Sequence, residues 1–358
     1  MKFDRKLFFL TVIWISIFSQ CKTTEPIKQE ENIIQSNQSN SCPKSTEEFY
    51  QKFLFYEYDQ IEEKPQLFAD HYFASNERRI DLFYPYIKDK KGGYIGVGTD
   101  QNFTFIAWAK SDYAYLVDVD WMVVYVNRLH LLFFDASENF LEFKQYWSIR
   151  NKKNAIELIR NRIIDATEQK KYLQTYELSR GMVWERLNDL ESMSKNFGFS
   201  SFHNNPNDFE YIKKMIQENR IYAVIGDING NITLKNIGVA SKNLCIPIHV
   251  VYLSNAEEYY RYPESFRNNI INLNYDNQAI IIRTVTSGAP KFGFPKGEKY
   301  PNIPFHYNIQ PIENLVQWFQ FDQLWIYEMM HYRDDLDLGI SILKKSPNDL
   351  NIFVTKQP

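Results

Sequence analysis

Positive charge is not in excess in this chain. Its 41 Lys and Arg stand against 44 Asp and Glu, a formal net charge of -3. No basic field exists to hold a nucleic-acid backbone, so nucleic acid is set aside as a partner. Cysteine is scarce, with three in 358 residues, and Cys21, Cys42 and Cys245 lack the paired spacing of a zinc site. The six histidines (His71, His130, His203, His249, His306 and His331) are scattered and make no HExxH pattern. No metal is therefore expected. The chain has no GxSxG elbow and no Walker loop, because "GFPKGEK" lacks the required spacing. Its first apolar run is also too short to cross a hydrocarbon core of about 30 Å as a helix.

Apolar residues, by contrast, are plentiful. Hydrophobic residues make up 44% and charged residues 24%, enough for a sizeable core and against wholesale disorder. At the N-terminus, "MKFDRK" supplies Lys2, Arg5 and Lys6 ahead of "LFFLTVIWISIF". A basic stretch followed by a short apolar run reads as a signal peptide over residues 1–20. The cysteine that follows in "SQCKTTEP" resembles a bacterial lipoprotein signal. That resemblance implies Cys21 as the lipidated first residue of the mature protein, held on a membrane of the cell envelope. An ordinary secretory signal stays open, since Gln20 and Phe18 depart from the lipoprotein pattern. Residues 21–47 are polar and aperiodic and read as a flexible tether. An oxidising compartment permits a Cys42–Cys245 bridge, but two isolated cysteines do not predict one.

Residues 48–358 read as one α/β domain. A helix is expected from about Thr46 to Ala69, with Ser45 or Thr46 as its N-cap. "GGYIGVG" reads as a strand, followed by a helix over 101–110. "YAYLVDVD" is a second strand, and "WMVVYVNRLHLLFFDA" a helix. Residues 139–200 are charged and helical throughout, a helical insertion. Beyond them "IYAVIGDING", "IPIHVVYLSN" and "QAIIIRTVTSG" are strands with helices between. "PIENLVQWFQFDQLWIYEMMHY" reads as a helix and "LNIFVTK" as a last strand. This alternation predicts a mostly parallel sheet with helices on both faces.

In an open sheet of this kind ligands sit at the carboxyl ends of the strands. Those ends read "GVGTDQN", "DVD", "GDING" and "LSNAEEY", each with glycine or a short polar side chain. Gly96 and Gly98 lack a Cβ and let backbone approach a ligand, with Asp100 and Asn102 just behind them. Gln101 stands where a dinucleotide turn needs its third glycine, so NAD and FAD are not supported. Asp118 closes the second strand about where a ribose hydroxyl pair is held, Asp120 suits the cap of the next helix, and Asp227 ends the third strand. Arg283, inside an apolar strand, needs a carboxylate partner, an acidic ligand or an edge position.

The glycine turn, the acidic second-strand end, the "GD" and the polar fourth-strand end together resemble class I S-adenosylmethionine-dependent methyltransferases. More closely, "YIGVGTDQNFTFIA", "AYLVDVD", "YAVIGDINGNITLKNIG" and "HVVYLSNAEEYY" resemble an uncharacterised family of bacterial Rossmann-like proteins, over residues 60–330. The methyltransferase resemblance implies S-adenosylmethionine, a nucleoside-type ligand, as the cofactor. Gly96 and Gly98 would then approach its methionine part, Asp118 its ribose and Asp227 its adenine. Ser254 and Asn255 would orient the methyl acceptor. The resemblance implies the fold more firmly than the reaction, because no Asn/Asp-Pro-Pro-aromatic motif follows the fourth strand. A non-catalytic lipoprotein that uses the same fold for binding or structure remains the second reading.

Overall fold

A computed structural model of the chain describes residues 41–61, 71–286 and 303–350. The signal peptide expected over 1–20, Cys21 and most of the expected tether lie outside the described residues. From Ser41 onward the chain forms one compact unit. Its first helix, α1 (Thr46–Phe53), begins where the Ser45 hydroxyl accepts the Glu48 amide, with Glu47 and Glu48 in the positive first turn. It stops at Phe53, far short of Ala69. Beyond that point the backbone bonds to the sheet instead. Phe53 O accepts the Tyr115 hydroxyl at 2.6 Å and Phe55 O accepts that of Tyr222 at 3.3 Å.

The described residues form one sheet of eight strands. These are β1 (Gly93–Gly96), β2 (Tyr113–Asp118), β3 (Ile221–Ile225), β4 (Ile248–Tyr252), β5 (Tyr275–Thr286), β6 (Phe305–Pro311), β7 (Asp334–Asp337) and β8 (Ile340–Ile342). Their order is β3-β2-β1-β4-β5-β6-β8-β7. β1 to β5 are mutually parallel, β6 is antiparallel to β5, β8 parallel to β6, and β7 antiparallel to β8. The protein is thus α/β, with a mostly parallel mixed sheet.

One face of the sheet packs against α2 (Tyr84–Ile87), α3 (Gln101–Ala109), α4 (Trp121–Asp135), α5 (Phe140–Trp147), α6 (Lys152–Arg162), α7 (Ala166–Phe197) and α8 (Pro206–Gln217). The other packs against α1, α9 (Thr233–Leu244), α10 (Glu264–Asn272), α11 (Ile312–Trp318) and α12 (Ile326–Met330). Along β2 the side chains divide with a period of two. Ala114 and Leu116 join the first core, and Tyr113, Tyr115 and Val117 the second. A strand buried on both faces reads as one apolar run.

Residues 139–200 hold α5, α6 and α7 and no strand. The stripe Tyr176, Val183, Leu187 and Leu190 of α7 joins the sheet's own core. One face of this span therefore packs into the domain core, and the rest faces solvent.

Cys42 is disulfide-bonded to Cys245, 203 residues away. The expected tether therefore ends at Cys42, not near Glu47. Two departures lie toward the C-terminus. The expected helix over 311–332 divides into α11 and α12, and Gln323 between them takes a left-handed backbone (φ 59°) that no helix tolerates. β6 gave no strand signal because its buried alternate residues are polar: His306, Asn308 and Gln310 are each at most 1% exposed. The strand expected from "LNIFVTK" falls almost wholly outside the described residues.

Candidate functional site

Strand order reverses between β1 and β4, and the crevice at the carboxyl ends there is where such sheets bind ligands. Gly98, just past β1, has φ 78° and only open space where a Cβ would stand. Its amide donates to Asp118 Oδ2 at 3.0 Å, and the other Asp118 oxygen accepts the Asp120 amide at 2.9 Å. The acid at the end of β2 is thus tied directly to the glycine turn. Asp118 is partly exposed at the rim. Burial nonetheless pushes its carboxyl up to about 6, with Asp120 adding to the push and the amides resisting it.

The other expected contacts of this turn face inward. At Gly96 a side chain would collide with Asn102 and Tyr94, so the missing Cβ serves packing rather than a ligand. Asn102 is fully buried and pins the turn, donating to Val97 O and Thr99 O at 3.0 and 2.9 Å and accepting the Tyr94 hydroxyl at 2.7 Å. Asp100 is buried too. It accepts the Ser75 amide at 2.8 Å and pairs with Arg186 Nε of α7 at 2.8 Å. Burial alone would raise its carboxyl, but Arg186 outweighs burial and holds it low. Asp100 and Asn102 thus brace the turn from inside.

Asp120 caps α4 by accepting the Met122 amide at 2.9 Å, and its other oxygen meets His71 Nδ1 at 2.5 Å. Asp227 is partly buried after β3 and accepts the Asn229 amide at 2.8 Å. The turn around it is built on Asp59. That carboxylate accepts the Asn231 and Ile232 amides at 3.1 and 3.0 Å and the Asp227 and Thr233 amides at 3.2 and 3.3 Å. Ser254 and Asn255 follow β4, both partly exposed, and Ser254 has a left-handed backbone (φ 49°).

A strap that sequence reasoning missed closes over these ends. From His71 to Arg79 the chain crosses the ends of β2, β1, β4 and β5 and reaches β6. His71 meets Asp120, Ser75 bonds to both Asp100 and Gln101, and the Arg78 and Arg79 amides donate to the Tyr307 hydroxyl at 3.1 and 2.8 Å. Between them Glu77 is fully buried. Its Oε1 accepts the hydroxyls of Tyr252 (2.8 Å), Ser254 (2.7 Å) and Thr284 (2.7 Å), and its Oε2 has no hydrogen-bond partner among the described residues. Burial raises its pKa against the pull of those hydroxyls and of Arg186. Nothing periodic marks "ASNERR" as a crossing segment. Arg186 did carry a signal, standing three residues after Val183 and four before Leu190 on the apolar stripe of α7.

Arg283 of β5 is buried and pairs with Glu257 at 2.6 Å, so of the alternatives open for it the carboxylate partner holds. Two surface depressions lie away from the strand ends, one beside Lys44, Phe49 and Arg220, the other beside Phe140, Phe202 and His203. His203 is held between Ser201 and Ser194 at 2.7 and 2.9 Å, and burial lowers it to about 4, so it is a neutral, satisfied core residue. Among the described residues no group of His, Cys, Asp and Glu could hold a metal ion. No helix among them is long and apolar enough to cross a membrane.

A family model described as a domain of unknown function (DUF7790) matches residues 72–344. The chain belongs to that family. The matched span starts within the strap and runs past β8, so it holds the crevice, Glu77 and Arg186 together. No curated protein matches the chain.

Proposed function

We propose that the protein is a membrane-anchored bacterial envelope lipoprotein with a Rossmann-like, methyltransferase-like domain. In this reading the domain binds a nucleoside-type molecule, S-adenosylmethionine, and passes its methyl group to an acceptor at the end of β4. The observation that carries the reading is the 3.0 Å contact between the Gly98 amide and Asp118 beside the point of strand reversal. The order β3-β2-β1-β4-β5, with an antiparallel strand after β5, supports it.

The residues present suit such a ligand. Open space at Gly98 lets the methionine part approach the backbone. With its pKa near 6, Asp118 is mostly charged at neutral pH, and each oxygen keeps a lone pair for a ribose hydroxyl. Asp227 stands for the adenine, and Ser254 and Asn255 for the acceptor. S-adenosylmethionine brings a methyl group already activated by its sulfonium, so the protein's part is chiefly positioning.

Titration calorimetry of the full chain with S-adenosylmethionine and S-adenosylhomocysteine tests the reading. Saturable one-to-one binding is expected. Heat of dilution alone for both compounds would overturn it.

One observation favours a second reading. The Cys42–Cys245 disulfide suits an oxidising compartment and so supports the envelope location. S-adenosylmethionine is made in the cytoplasm, and such a compartment has no evident supply of it. A non-catalytic lipoprotein that binds another nucleoside-type molecule in the same crevice meets that difficulty. Binding of nucleosides with no methyl transfer to any acceptor would favour it.

A further inference from the structure

Two carboxylates at the loop after β4 have no ion-pair partner among the described residues. Glu77 reaches it from the strap, fully buried, with three hydroxyls on Oε1 and, among the described residues, none on Oε2. The nearest cation, Arg186, is already neutralised by Asp100 at 2.8 Å, and its Nη1 donates to the Glu77 carbonyl rather than to the carboxylate. On the other side of Ser254, Glu258 accepts only neutral donors. These are the Thr286 amide (2.7 Å) and hydroxyl (2.8 Å), the Tyr327 hydroxyl (2.7 Å) and Asn255 Nδ2 (3.1 Å). The third carboxylate of the loop, Glu257, is paired with Arg283.

Two aromatic rings complete the rim. Tyr72 of the strap is 63% exposed and Tyr259 is 72% exposed. They lie near one another: after burial, Tyr72 is the largest influence raising the Tyr259 phenol. Exposed aromatic faces beside unpaired carboxylates attract an organic cation both by charge and by cation–π contact.

We propose that the β4 end is a subsite for a cationic amine, held by Glu258 and, through the Ser254 hydroxyl, by Glu77, beside the rings of Tyr72 and Tyr259, and that the methyl acceptor of this protein is therefore an amine. Only the second half rests on the methyltransferase reading. Before it can accept a methyl group, an ammonium must lose a proton. Ser254 is partly exposed and already donates to Glu77 Oε1 at 2.7 Å. The ammonium gives its proton to Ser254 Oγ while the Ser254 proton passes to Glu77. The products are a neutral amine with its lone pair available, an unchanged serine and a protonated Glu77. An alcohol acceptor suits the pair less well, since an alcohol holds its proton far more tightly than an ammonium does.

The test is the thermal unfolding of the full chain with n-butylamine, 1,4-diaminobutane and, as a neutral isostere, n-butanol. The amines are expected to raise the midpoint and butanol to leave it unchanged. Glu77→Gln and Glu258→Gln should each weaken amine binding about tenfold or more, while binding of S-adenosylhomocysteine stays at the parent level and shows the variants folded. If Glu77→Gln does not fold, Glu258→Gln carries the test alone. An equal response to butanol, parent affinity in Glu258→Gln, or no response of the parent to either amine each overturns the subsite. Glu258-dependent amine binding without any nucleoside binding upholds the subsite and removes the methyltransferase reading.

Discussion

Asp118 accepts two backbone amides, so one substitution tests both its structural and its ligand role. Asparagine at 118 keeps one acceptor oxygen and turns an NH₂ group toward an amide that also donates. Asp118→Asn is expected to lower folding stability by about 1–3 kcal/mol and nucleoside affinity roughly ten- to hundredfold. Asp120→Asn keeps an oxygen for the Met122 amide and should cost at most about 1 kcal/mol, with nucleoside affinity unchanged. Urea unfolding and calorimetry separate the two. A pH series adds a third check. A carboxyl raised to about 6 holds its proton more tightly in the folded than in the unfolded chain. Its contribution is most favourable below the unfolded value near 3.9 and is lost as pH rises through about 6. The stability difference between parent and Asp118→Asn should shift against the parent across that window and be level above it. A difference constant from about pH 4 to 7 would contradict the raised pKa.

At the scale of elements, the strap and α7 lock each other through Asp100 and Arg186. Arg186→Met leaves a buried carboxylate unpaired and should cost about 3–5 kcal/mol in urea unfolding, whereas Asp100→Leu combined with Arg186→Met should recover most of the loss. A single variant no worse than a surface charge change would show that the pair does not brace the strap. The central strands were legible because β2, β4 and β5 are buried on both faces and appear in the sequence as apolar runs ending in polar residues. β6 was not, since His306, Asn308 and Gln310 fill a polar interior. Nor was the strap, whose burial is decided by hydroxyls of Tyr252, Ser254, Thr284 and Tyr307 far along the chain. Within the candidate site Gly98 and Asp118 could be read from the turn and strand end. The inward roles of Asp100 and Asn102 could not, because they depend on Arg186 and Tyr94.

For the whole molecule, the disulfide fastens the residues ahead of α1 to the end of α9. Cys42→Ser should lower stability by about 2–5 kcal/mol and abolish the mobility difference between reduced and oxidised chain on a gel. If that difference persists in the variant, the Cys42–Cys245 pairing is wrong. Cys21→Ser should release the protein from membranes. If it stays as membrane-bound as the parent, the lipid anchor is wrong. Hydrogen exchange of the full chain with and without saturating S-adenosylhomocysteine decides whether a nucleoside-type ligand occupies the strand-end crevice. Slower exchange is expected at residues 71–79, 96–102, 118–122 and 226–233, with little change around His203. Unchanged exchange in those four segments, or protection confined to the depression beside Phe202 and His203, would contradict occupancy of the crevice.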